Sequence, residues 1–124
     1  MSVAARCTWV FGTDPDKNAP INTHGKHNNV IGSTGSGTPF NCHSLGQSYT
    51  FAVETNDSGW AYQIRVGRTS SGPWTVMSSG SGTSTANVDT VQIPGPFFWM
   101  SPRVDTMAST LNYVIVRMTG YEAW

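Results

Sequence analysis

Four side chains able to ligate a metal ion fall within one stretch of the chain: His24, His27, Cys42 and His43. Imidazole nitrogen and thiolate sulfur are donors that zinc accepts, and four of them complete a tetrahedral site. The spacing here, His-x-x-His followed later by Cys-His, matches none of the usual structural zinc patterns. The surrounding sequence is also the least regular in the chain. His24, His27 and His43 therefore read as solvated loop side chains, and no cofactor is expected. The alternative is a metal on a trimer axis, held by one histidine from each of three copies. Asp14-x-Asp16-x-Asn18 opens like a calcium loop, but Pro15 separates the first two ligands and the later Gly and Glu are missing. A turn held by Asx side chains fits better.

Catalytic arrangements are weaker still. Glu54 and Asp105 could face each other across a glycosidic bond, as paired carboxylates do in glycosidases, although nothing in their spacing requires it. His43-Ser44 lacks the strained turn of a nucleophile elbow. Gly-Ser-Thr-Gly-Ser-Gly at 32–37 precedes no helix and lacks the Gly-Lys-Ser/Thr ending of a phosphate loop. The chain reads as a non-enzyme. Trp60, Trp74 and Trp99 admit two readings: a flat platform for sugar rings, or core and subunit interface, where aromatic side chains are enriched. Core or interface is the reading taken. Phe97, Tyr121 and Trp124 lie near turns or chain ends, where their exposure costs solubility unless another chain covers them.

The elements that must position these residues are strands. Polarity comes from Ser, Thr, Asn and Gly, which compete with a helical backbone for hydrogen bonds, and 13 Gly and 7 Pro interrupt any long helix. Fourteen aromatics (5 Phe, 5 Trp, 4 Tyr) suit pleated surfaces. Only 11% of residues are charged, seven basic against seven acidic, so no positive field exists to hold nucleic acid. No apolar run approaches the roughly 18 residues of a membrane helix. A neutral, hydroxyl-rich surface has little colloidal repulsion, which points mildly to life inside an assembly. Residues 1–6 lack the basic-then-apolar layout of a secretory signal, so Cys7 and Cys42 are expected as buried thiols in a reducing compartment, with one disulfide as the alternative.

Val3, Ala5, Cys7, Trp9 and Phe11 alternate with polar or small residues and predict a first strand. From Gly12 to Gly46 the pattern dissolves into loop, anchored only at Asn29-Val30-Ile31 and Pro39-Phe40. Tyr49, Phe51, Val53 and Thr55 predict the next strand. Trp60, Tyr62, Ile64 and Val66 pair with Trp74–Ser78 in a predicted hairpin. Residues 79–85 read as a flexible surface loop and 88–93 as a strand. Pro102 makes 98–105 an edge or bulged strand, and the strand near the end, 111–121, is apolar on both faces and therefore central. An all-β antiparallel β-sandwich or jelly roll with a loop-rich N-terminal segment follows. It is one domain, with an N-terminal strand and loop-rich arm over 1–47 and a sandwich core over 48–124.

Three motifs in the second half carry a resemblance: Ser-Ser-Gly-Pro-Trp-Thr-Val-Met (70–77), Val-Gln-Ile-Pro-Gly-Pro-Phe-Phe-Trp-Met-Ser-Pro-Arg-Val (91–104) and Tyr-Val-Ile-Val-Arg-Met-Thr-Gly (113–120). Over roughly residues 48–121 the chain resembles small bacteriophage virion proteins, in particular β-sandwich proteins that decorate or cement the capsid. That resemblance implies a non-enzymatic homo-trimer on the capsid exterior, assembled in the host cytoplasm and bound to the major capsid protein. Contacts to the shell would come from Val3, Arg6, Trp9, Phe11, Ile21, Val30, Ile31 and Phe40. Trp60, Trp74, Phe97, Trp99, Tyr121 and Trp124 would form an oligomer interface. Deleting residues 1–11 would then abolish capsid occupancy and leave the fold intact. The chain also looks like discoidin-type carbohydrate-binding modules, which would make the same aromatics a surface-glycan or receptor platform, although cysteines bracketing the domain are missing. A tail or neck position in the virion is a further alternative.

Overall fold

Side chains that alternate between apolar and polar build the strands, and the same alternation sorts their faces. The computed structural model describes residues 3–15, 26–41, 48–83, 86–94 and 98–121, with backbone alone for 3–6, 26–29, 48, 86–94 and 121. The strands are β1 (Val3–Gly12), β2 (Lys26–Val30), β3 (Gly35–Ser36), β4 (Phe40–Asn41), β5 (Ser48–Thr55), β6 (Trp60–Gly67), β7 (Trp74–Gly82), β8 (Ala86–Pro94), β9 (Trp99–Met100), β10 (Arg103–Thr106) and β11 (Tyr113–Tyr121). No helix occurs among the described residues. Two sheets pack face to face around one apolar core, the expected all-β sandwich.

The first sheet runs β2-β1-β11-β5-β8. Its core face is built in cross-strand rows: Cys7, Met118 and Phe51; Trp9, Val116 and Val53; Phe11, Val114 and Thr55. β11 is central, as its two apolar faces predict, and Ile115 on its outer face is also buried. β2 lies parallel to β1, whereas the other described pairs are antiparallel. A parallel neighbour needs a long crossover, and residues 13–25 provide the length.

Trp9 and Phe11 are each 0% exposed and belong to this core. Their assignment to a partner surface is therefore corrected: the alternation that revealed β1 buries them against the protein's own second sheet. Trp9 also donates its indole Nε1–H to the Thr38 carbonyl at 2.8 Å, tying the two sheets together. β1 sits between β2 and β11, so the strand Val3–Gly12 is an inner strand of the sandwich.

In the second sheet β7 pairs along one edge of β6, while β10 and β9 share the other edge in succession. β3 and β4 pair outside β10 and β9. The 98–105 segment is thus internal, and Pro102 divides it into two strands because it has no N–H for the ladder. Ser101 N–H still donates to the Arg65 carbonyl at 3.0 Å across the break. β3 and β4 also give the 32–41 stretch more order than its composition predicts.

β7 extends to Gly82, which corrects the expectation of a loop from residue 79. The reason is steric. Gly82 pairs with Trp60 and Gly80 with Tyr62, and these two rings lie stacked with centroids 6.1 Å apart. A Cβ at Gly80 would stand 2.6 Å from Tyr62 Cε1, and one at Gly82 2.5 Å from Trp60 Cζ2. Glycine at every second position lets the strand lie directly on the aromatics.

Asp57 fixes the turn between β5 and β6 to the loop before β11. Its Oδ2 accepts from the N–H groups of Gly59 (2.9 Å) and Ala108 (2.7 Å), and its Oδ1 from Ser109 N–H (3.1 Å) and Asn112 Nδ2 (3.0 Å). Burial raises the carboxyl pKa, but the bonds from Asn112, Ala108, Gly59 and Ser109 outweigh it and lower the pKa to about 2.

Candidate docking site

The outer face of the second sheet is organised around one small residue. Gly67 pairs with Trp74 on β7 and with Trp99 on β9, so the two tryptophans flank it in a single row. A Cβ on Gly67 would stand 2.9 Å from Trp74 Cε3. Both tryptophans are half-buried. Trp60 points the other way, into the core, at 7% exposure. The structure thus brings together two of the three tryptophans weighed for a platform and places Trp60 in the core, the reading preferred from the sequence.

Arg65, two residues before Gly67 and on the same face, packs its guanidinium 5.3 Å from the Trp74 ring centroid. It is 8% exposed. Nε donates to the Ser101 carbonyl and Nη2 to Ser101 Oγ, each at 2.9 Å, and Ser101 Oγ donates to the Gly37 carbonyl at 2.8 Å. Burial, then the nearby charge of Arg103, lowers its pKa, with Asp105 opposing the shift. It acts as a buried clamp. Sequence alone gave no sign of it, because its partners come from segments far along the chain.

Beside this row a groove of about 470 Å³ opens at the start of β7. Val66, Pro73, Met77 and Phe98 supply apolar walls, with Gly67, Thr75 and Arg68 completing it. Phe98 is 52% exposed, Val76 47% and Met77 40%. Pro73 follows Gly72, whose φ of +86° suits glycine and forms the hairpin turn with Thr69, the Gly72 N–H donating to the Thr69 carbonyl.

Of the residues expected at a shell contact, Val30 is 54% exposed on β2, while Ile31 and Phe40 are half-buried against the core. The backbone of Val3, Arg6, His27 and Tyr121 lies in β1, β2 and β11, and their side chains are outside the described residues. Ile21, His24, Cys42, His43, Phe97 and Trp124 also lie outside them. Cys7 is fully buried. Among the described residues no group of three His, Cys, Asp or Glu side chains converges. The paired-carboxylate idea is corrected: Glu54 bonds Arg117 at 3.1 Å on the first sheet, and Asp105 bonds Arg103 at 2.7 Å on the second.

Comparison with protein-family models, with curated proteins and with solved structures returned no match.

Proposed function

We propose that the chain is a bacteriophage virion structural protein of the capsid decoration type, a non-enzymatic subunit that binds the assembled head as a trimer. The supporting observation is the set of apolar side chains left in solvent on a sandwich of low charge content and no net charge: Val30, Val76, Met77, Phe98 and Leu111. Such surface is costly in water and inexpensive beneath a neighbouring chain. The major capsid protein is the partner proposed. With Trp9 and Phe11 committed to the core, the contact surface consists of Val30 on β2 and the exposed end of β7 and β9. Binding to the assembled shell and not to its dissociated subunits would stabilise the head by mass action.

The test is co-sedimentation of the purified chain with heads and with dissociated capsid subunits of the same virion. Saturable binding to heads alone is expected, reduced at least tenfold by Val30→Asp or Phe98→Asp. Equal recovery with and without heads would overturn the proposal. The Trp74–Gly67–Trp99 row favours a second reading, a carbohydrate-binding module. On that reading a glycan array gives binding that Trp99→Ala removes, with head binding unaffected.

A further inference from the structure

β7 closes the second sheet without charged or proline guards. Its outer edge has no strand partner among the described residues. Natural edges are commonly blunted by charged side chains or proline, and β7 carries neither between Trp74 and Gly82. Backbone N–H and C=O groups therefore face outward in a row, a ready template for one more strand. The strand's one irregularity is a bulge: Ile64 pairs with Ser78 and Arg65 with Val76, leaving Met77 as the extra residue. Bulges re-aim side chains, and Met77 here forms part of the groove wall.

The groove adds two further selections. Its walls at Val66, Pro73, Met77 and Phe98 suit an apolar side chain, and its volume of about 470 Å³ accommodates an aromatic one. Its single charge is Arg68, which is exposed and whose guanidinium has no hydrogen-bond or ion-pair partner among the described residues. A guanidinium beside an apolar wall favours a carboxylate and disfavours a cation.

We infer that the β7 edge and its groove receive an extended acidic segment of a partner protein. The segment adds as a strand, seating an apolar side chain in the groove and an Asp or Glu two residues along, on the same face, against Arg68. The edge requires a peptide backbone, the walls an apolar side chain and Arg68 a negative charge. A helix cannot complete the ladder, and a glycan has no regular amides with which to do so. The inference is independent of the virion proposal, since any partner presenting such a segment fits.

The test is a titration of the full ¹⁵N-labelled chain with a capped nine-residue peptide in which alternating Thr and Val flank a central Phe-Thr-Asp. A second peptide carries Lys in place of the Asp. Amide shifts concentrated at 68 and 74–82 are expected, with the Lys peptide at least tenfold weaker. Arg68→Glu should reverse that order. Val76→Lys, which places a guard charge on the edge, should weaken binding at least tenfold without moving Tm. Both positions are exposed, so neither variant threatens the fold. No shifts at millimolar peptide, shifts centred on β2 or β8, or equal binding of the two peptides would each overturn the inference. Concentration-dependent shifts of the β7 amides without peptide would assign the edge to a second copy and overturn it as well.

Discussion

At the scale of single residues, Asp57 carries the clearest pH signature. Its folded pKa of about 2 lies below the ordinary 3.8, so its four hydrogen bonds stabilise the fold fully above about pH 4. That contribution is lost as pH falls through about 2. The lowering corresponds to at most about 2.5 kcal/mol, and screening at a turn flanked by exposed Asn56 and Ser58 trims it to roughly 1–2 kcal/mol. Asp57→Asn should cost about 2–3 kcal/mol at pH 7, because its amide repels donors that the carboxylate accepted. Urea denaturation at pH 7, 4 and 2 should show that penalty shrinking toward low pH; a constant penalty would exclude the ionised carboxylate as the cause. Neither Asp57 nor Arg65 stood out in the sequence. Each earns its place through partners up to 55 positions away, and spacing along the chain carries no trace of them.

At the scale of elements, legibility followed side-chain alternation. β1, β5, β6 and β11 could be read because their core faces are large and regularly spaced. The end of β7 could not, since Gly80 and Gly82 contribute absence of bulk and resemble linker. The informative signal was two-sided: glycines at period two opposite Trp60 and Tyr62 at period two. Gly80→Ala and Gly82→Ala should each destabilise by about 1–3 kcal/mol through overpacking, whereas Ser81→Ala should stay within about 0.5 kcal/mol. Guanidinium denaturation followed by tryptophan fluorescence would measure all three. Equal effects would mean that the residues do not pack as a strand. The candidate site was half legible. Trp74 and Trp99 were singled out by type, but their meeting across Gly67 depends on which strands pair. Trp9 and Phe11 failed for a related reason: alternation shows that a face is covered, and does not say whether the same chain covers it.

At the scale of the whole molecule, the sandwich depends on its first strand. Removing residues 3–12 takes out Cys7, Trp9 and Phe11 and strips β11 of a neighbour, so the shortened chain should be unfolded by circular dichroism. A folded truncation would show the core to be closed without β1. Trp9→Ala alone should cost about 3–5 kcal/mol. The pairing of β1 with β11 along nearly its whole length also has a consequence for synthesis on the ribosome. β11 joins β1 to β5 in the first sheet, yet it is translated after both. Until residues 113–121 leave the exit tunnel, β1 has no route into that sheet, and Trp9, Phe11 and Phe51 wait uncovered. Folding is thus held back until nearly all of the described chain has been made, and a stalled or prematurely released chain exposes apolar strand faces that invite aggregation.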